Sequence, residues 1–248
     1  MNAYKEAANL IKNSNFIVAF TGAGISVESG IPTFRGPTGL WSKYNPKILD
    51  LNFFMQNPKE SWKYIKEIFY EYLKDIKPND AHKCLAWLEE KGKLKGIITQ
   101  NIDNLHQKAG SKEVVEFHGT ASKLECVNCK SKFNASEISL DIIPPLCPKC
   151  GGILKPDFIF FGEPIPTEAF EKSLFFANTA ELFIVIGTTG EIMPASQIPI
   201  LAKQNGAKII EINIEPSNYT NTITDIFLQD KATVACNKLK KELTFLGF

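Results

Sequence analysis

Five short runs along the 248-residue chain are apolar at nearly every position: residues 16–20, 96–99, 114–117, 182–186 and 208–214. A strand with one wet face alternates polar and apolar residues. Runs without alternation suit strands covered on both faces, as in a parallel sheet flanked by helices. The stretches between them carry a different period. Residues 81–91, 167–179 and 195–205 predict helices, the second after a proline-rich start, and the opening MNAYKEAANLIKNSNF reads as an amphipathic helix. Strands alternating with helices predict an open α/β domain built on a parallel sheet.

Two stretches break the alternation. Residues 41–77 are helical in pattern and dense in aromatics (Trp41, Tyr44, Phe53, Phe54, Trp62, Tyr64, Phe69, Tyr70 and Tyr72), which predicts a helical module that buries them. Residues 119–155 hold four paired cysteines. With no low-complexity linker around either, both are expected to decorate one sheet domain. The resulting division is a discontinuous sheet domain of residues 1–40, 78–118 and 156–248, a helical module at 41–77 and a cysteine module at 119–155.

Charge narrows the function. With 28 basic and 27 acidic residues the chain is near neutral, which gives no electrostatic reason to expect nucleic acid or an anionic membrane as partner. A composition 44% hydrophobic and 22% charged excludes a disordered chain. No apolar run approaches the roughly 18–20 residues of a membrane span, and the N-terminus lacks an export signal, so a cytoplasmic protein is expected. Every basic residue but Arg35 is lysine. Guanidinium offers a planar fork for phosphate or carboxylate that ammonium does not, which marks Arg35 as a candidate.

The first strand run is followed by Thr21-Gly22-Ala23-Gly24-Ile25-Ser26-Val27-Glu28-Ser29-Gly30. Glycines at this place let backbone amides approach a pyrophosphate, with a helix start behind them. The third glycine falls six residues after the second rather than three, so the ordinary dinucleotide fingerprint is missed and a tight structural turn stays open. The cysteines speak more clearly. Cys126-x2-Cys129 and Cys147-x2-Cys150 stand 17 residues apart, the spacing of a four-thiolate zinc site. Four thiolates leave no open position, so the zinc is expected to be structural; a redox pair is the rival reading. Cys84 and Cys236 stand alone and are expected to be buried. Of three histidines, His118 directly follows a strand run, where open α/β sheets bind ligands. The loop Thr99-Gln100-Asn101-Ile102-Asp103-Asn104-Leu105-His106 follows another and offers amides and a carboxylate. Asn213 and Glu215 close the last run and can accept from sugar hydroxyls.

In order, GAGIS-x3-GIP-x-FRG, TQNID-x-LH, His118-Gly119, the two CxxC pairs, Phe161-Gly162-Glu163, Gly187-Thr188-Thr189 and Asn213-x-Glu215 together resemble the sirtuins, NAD-dependent protein-lysine deacylases, over nearly the whole chain. The resemblance implies a large Rossmann-like parallel-sheet domain, an inserted small zinc-binding domain, and a cleft for NAD and an acyl-lysine peptide. It places Gly22, Ala23, Gly24, Phe34, Arg35, Gln100, Gly187, Thr188, Thr189, Asn213, Ile214 and Glu215 around NAD, with Lys231-Ala232 against the adenine. It further implies that Asn101, Ile102 and Asp103 hold nicotinamide and its ribose, and that His118 is the general base. Residues 159–163 and 190–193, with Ile159, Phe161, Gly162, Glu163, Gly190 and Ile192, would hold an extended peptide between them by strand addition. The implied chemistry is attack of the acyl oxygen on C1′ of the nicotinamide ribose, proton removal by His118, and release of free lysine and O-acyl-ADP-ribose.

The departures bear on the substrate. Thr33 stands where many sirtuins carry Asp. Branch members that accept malonyl or succinyl groups bind the distal carboxylate with a Tyr-x-x-Arg pair; aligning on Asn57-Pro58 and Trp62 puts Ile65 and Ile68 there. An apolar pair leaves a buried carboxylate without a partner, so acetyl and longer chains are expected over succinyl. Gly190 is smaller than the residue other members often carry. Two alternatives remain beside deacylation: an ADP-ribosyltransferase or NAD glycohydrolase on the same scaffold, and a non-enzymatic zinc-ribbon module. A monomer is expected.

Overall fold

The computed structural model describes residues 2–36, 39–71 and 75–248; Tyr72, one of the aromatics above, lies outside them. The chain begins with α1 (Ala3–Asn13), started by the Asn2 side chain accepting from the Tyr4 amide at 3.1 Å. It then enters β1 (Ile17–Thr21). Two short helices, α2 (Leu51–Gln56) and α3 (Pro58–Ile65), follow, and α3 runs on into a π-helical turn at Lys66–Glu71. Then come α4 (Asp80–Glu90), β2 (Leu94–Thr99), α5 (Leu105–Lys108) and β3 (Val114–Glu116). Next are β4 (Gly119–Cys126), β5 (Lys132–Asn134) and β6 (Leu154–Phe158). The chain ends with α6 (Thr167–Thr179), β7 (Leu182–Ile186), α7 (Gln197–Gln204), β8 (Lys208–Asn213), β9 (Ile226–Gln229) and α8 (Ala232–Phe245).

Six strands form one parallel sheet in the order β3-β2-β1-β7-β8-β9. The apolar runs lack alternation because both faces are covered. Ile17 and Ala19 of β1 pack with Ala7, Ile11, Leu85 and Leu239 from α1, α4 and α8. Val18 and Phe20 pack on the other face with Phe176 and Ile198 from α6 and α7. At about 25 cal/mol per Å² of apolar surface removed from water, these two layers dominate the stability of the sheet.

A second, antiparallel sheet has the order β5-β4-β6. The stretch after β1 and the cysteine stretch share its core: Phe54, Trp62 and Ile65 pack with Leu124, Phe158 and Phe160, and the Trp62 indole donates to the Leu154 carbonyl at 2.8 Å. The two insertions, expected to decorate one sheet domain, share this core as one small lobe. β6 runs through residue 156, so the small sheet draws on residues either side of that point. Both strands that lead out of the small lobe end at the crevice: β4 begins just after His118, and the Ile159 amide donates to the His118 carbonyl at 2.9 Å.

Candidate active site

In chain order the parallel strands of the large sheet run 3-2-1-4-5-6, so direction reverses between β1 and β7. Their carboxyl ends border the crevice where such sheets bind ligands. The loops leaving them press backbone against backbone. A side-chain carbon on Gly24 would lie 2.5 Å from the Gly187 Cα, and one on Gly22 would lie 2.8 Å from the Gly187 carbonyl oxygen. The Gly24 amide donates to that same oxygen at 2.9 Å. Gly187 itself sits at φ +63°, a conformation that favours glycine. The glycines thus hold two strand-end loops together at the crevice. The segment after Gly22 is a seven-residue 3-10 helix, Ala23–Ser29, rather than the α-helix start expected from the glycine pattern; Gly30 at φ +98° ends it. Around this junction the Gln100 amide donates to Thr188 Oγ1 at 3.1 Å and the Asn213 amide to the Thr188 carbonyl at 3.1 Å. Asn213 Oδ1 in turn receives the Ile214 amide at 3.0 Å. Thr189, Ile214 and Glu215 are exposed beside them, Ala23 is half-buried, and Ala232 opens α8 with its side chain in the core.

The loop after β2 enters the same place. Buried Asn101 donates through Nδ2 to the Gly22 carbonyl at 3.1 Å and to Ser26 Oγ at 3.2 Å. Its Oδ1 has no partner among the described residues. Ser26 Oγ donates to Asp103 Oδ2 at 2.7 Å, and Asp103 Oδ1 accepts the Leu105 amide at 2.9 Å. Burial raises the Asp103 carboxyl above its usual range, partly offset by these bonds. Ile102, between the two polar residues, belongs to the small lobe's core. Behind them His82 Nε2 stands 3.4 Å from Ser26 Oγ, while its Nδ1 faces Asn79 Oδ1 at 3.1 Å. His106, fully buried, meets Thr21 Oγ1 at 2.9 Å and stacks edge-on to His82 at 4.9 Å. Ser26 and His82 were given no role by sequence reasoning. Fifty-six positions separate them, and only the GAGIS placement of Ser26 and the helix-start position of His82 hint at either.

His118 is half-buried, with Nδ1 at 3.2 Å from the Gln100 carbonyl oxygen. A carbonyl can only accept, so the ring proton sits on Nδ1 and the lone pair on Nε2. Nε2 has no partner among the described residues. Burial pushes the His118 pKa below the ordinary imidazole value, against the Gln100 hydrogen bond, which pulls the other way.

Arg35 is exposed and, with Gly36, Trp41, Ser42, Pro46 and Phe161, lines a cavity of about 440 Å³. Phe34 stacks against Trp41 at 5.5 Å, and Trp41 faces Phe161 at 6.3 Å. Exposed Phe161 is held by its backbone: its amide donates to Leu49 and its carbonyl accepts from Leu51. Gly162, at φ +92°, is open on its side-chain face. Glu163 turns inward to Lys155 at 3.0 Å rather than to the cavity. Ile159 and Ile192 are half-buried, and a side chain on Gly190 would meet the Tyr219 ring at 2.9 Å. Ile65 and Ile68 are both buried in the small lobe's core, together with Ile102 and Phe158.

The thiols of Cys126, Cys129, Cys147 and Cys150 all lie within 4.8 Å of one another, with Cys126–Cys150 at 3.5 Å and Cys129–Cys147 at 3.7 Å. Four sulfurs each about 2.3 Å from one zinc stand about 3.8 Å apart, so the four cysteines fit that ion and leave no position for substrate. Cys84 and Cys236 are buried elsewhere, between α4 and α8.

Residues 22–194 match the Sir2 family. The "NAD-dependent protein deacylase 2" of Pyrobaculum aerophilum is 43% identical over 95% of this chain and 94% of its own length. The "NAD-dependent protein deacylase" of Thermococcus kodakarensis is 45% identical over 91% and 90%. Among solved structures, a variant Sir2 homologue in complex with ADP-ribose superposes with a TM-score of 0.92 at 37% identity, covering 97% of this chain and 96% of that one. Sir2Tm bound to a propionylated peptide superposes at 0.88 and 33% identity, covering 98% of each chain.

Proposed function

This chain belongs to the Sir2 family and is an NAD-dependent protein deacylase, and we propose that it acts on acyl-lysine peptides with His118 as general base and an acyl pocket without charge. The observation that carries the residue assignment is the His118 ring. With Nδ1–H fixed on the Gln100 carbonyl, Nε2 is the basic atom, and the lowered pKa keeps it unprotonated at neutral pH.

NAD supplies the activated ribose carbon that accepts the acyl oxygen and the nicotinamide that leaves. The polar groups present suit it. Asn101 Oδ1, without a partner among the described residues in an amide whose nitrogen is already engaged, offers an acceptor for a carboxamide. Ser26 holds Asn101 and Asp103 in one arrangement, so both act as a preset frame rather than as mobile side chains. Gly22, Gly24, Gln100, Gly187, Thr188, Thr189 and Asn213 form the floor of the nucleotide crevice, with Ala23, Ile214, Glu215 and Ala232 at its margin. Arg35 and Phe34 close its outer side, the guanidinium for phosphate and the ring to exclude water. His118 accepts a proton at Nε2 and later returns it.

The peptide lies between the backbone of 159–163 and that of 190–193, which reads main chain more than sequence. Ile65, Ile68 and Ile102 make the acyl end apolar, which favours acetyl and longer chains over succinyl. One structural zinc per chain holds the small lobe. Free thiols in this number fit a reducing, cytoplasmic compartment, and a monomer is the assembly proposed. Among the described residues no helix is long and apolar enough to cross a membrane.

The test is nicotinamide release measured with and without an acetyl-lysine peptide. Release that requires the peptide supports deacylation. Equal release without it points to a glycohydrolase, and ADP-ribose carried onto protein points to a transferase.

A further inference from the structure

Lys155 lies on β6, and all three of its ammonium hydrogens are used: on the Pro156 carbonyl at 2.9 Å, the Phe158 carbonyl at 2.8 Å and Glu163 Oε2 at 3.0 Å. The same nitrogen sits 4.3 Å over the Phe160 ring. Glu163 Oε2 accepts a second bond, from the Phe160 amide at 2.7 Å. Both side chains are largely withdrawn from water, 12% and 17% exposed. This knot closes the segment that follows β6 into a loop whose tip, Phe161 and Gly162, stays exposed beside the Arg35 cavity.

The other side of Lys155 leads to the cysteines. In the β4–β6 register Glu125 stands opposite Lys155 and Cys126 opposite Leu154. At its other end β4 begins next to His118, whose carbonyl receives the Ile159 amide. One two-stranded ladder therefore joins a zinc thiolate, the ion pair and the base.

We propose that Lys155 and Glu163 are a positioning pair that sets the peptide-binding segment 159–163 on the zinc-bearing sheet, so that the small lobe fixes substrate geometry as well as fold. Resting on the peptide-deacylase reading above, this gives Glu163 a part in peptide binding without touching the peptide. Removing its charge leaves the buried ammonium with only the Asp157 and Glu125 carboxylates, neither of which bonds it, and loosens the loop, while the nucleotide crevice, built on β1, β2, β7 and β8, keeps its own bonds.

The experiment is steady-state kinetics of wild type, Glu163→Gln and Glu163→Ala with an acetyl-lysine peptide and NAD, alongside zinc content and thermal melting. Glutamine keeps an acceptor for the Phe160 amide, so a graded series is expected. The peptide KM rises about tenfold for Glu163→Gln and further for Glu163→Ala, while the KM for NAD stays within about twofold. A merely stabilising ion pair would lower the melting temperature and leave the two KM values alone or move them together; either result overturns the proposal. If Glu163→Ala does not fold, the isosteric Glu163→Gln decides alone. Absence of turnover by the wild type would overturn the deacylase reading itself, whereas turnover with an unmoved peptide KM in the variants overturns only the positioning pair.

Discussion

At the residue scale the three histidines have three environments, and the base is assigned to one of them. His118 faces the crevice with a pKa held below the ordinary value of about 6.5, mainly by burial. A base must be unprotonated to act, so the acid limb of kcat/KM against pH is expected below that value, with a flat profile through neutrality; a limb centred above pH 7 would contradict the assignment. His82 is pushed down to about 4 by burial, and His106 also lies well below the usual range. Here the linked quantity is stability. Between pH 6.5 and 4 the unfolded chain binds a proton at His82 that the folded chain refuses, so stability falls as pH drops through that window. For His82 the full span is worth about 3 kcal/mol. Urea unfolding at pH 7 and pH 5 checks this, and His82→Gln should reduce the difference, leaving the part due to His106 and His118. Of this network, the sequence revealed His118 and the Asn101–Asp103 loop through their places after strand runs. It did not reveal that Ser26 joins Asn101, Asp103 and His82, because a hydroxyl shared by three segments exists only after the chain has folded.

For the elements, legibility followed burial. Runs such as residues 182–186 announce themselves because both faces of the sheet are covered, and β7 occupies those residues. β9 gives no such signal: it is four residues long, IFLQ, and ends on an exposed glutamine. β4 and β6 were hidden for another reason. Charged residues on the wet face of β4 and Pro156 within β6 mask their strand character, and pairing is supplied by the lobe core and the cysteine cluster. Removing zinc should therefore dissolve the small sheet first. Elemental analysis is expected to give one zinc per chain, and Cys147→Ser to lower the melting temperature by roughly 10 °C or more with loss of peptide turnover. The glycine junction makes a separate demand. An alanine at Gly24 brings Cβ to 2.5 Å from the Gly187 backbone, which no rotamer relieves. Gly24→Ala should cost about 1–3 kcal/mol and raise the KM for NAD.

As a whole molecule, the enzyme is a six-stranded parallel sheet with a small lobe on it, and the proposed reacting end lies where the two meet. Ile65 and Ile68, proposed for that end, are buried in the small lobe's core with Ile102, so the acyl end proposed here is apolar. Desuccinylation should accordingly run at least about 100-fold slower than deacetylation, because a distal carboxylate would be buried without a partner. Comparable rates would show that a polar group reaches the acyl end.

NAD cleavage and acyl-lysine removal are proposed here to be one reaction governed by His118. Mass spectrometry of an acetyl-lysine peptide incubated with NAD and the purified protein, beside His118→Ala, measures it directly. The expected result is loss of the acetyl mass from the peptide, an equal amount of O-acetyl-ADP-ribose, and a rate at least about 100-fold lower in the variant. An unchanged peptide alongside consumed NAD, or full activity in His118→Ala, would contradict it.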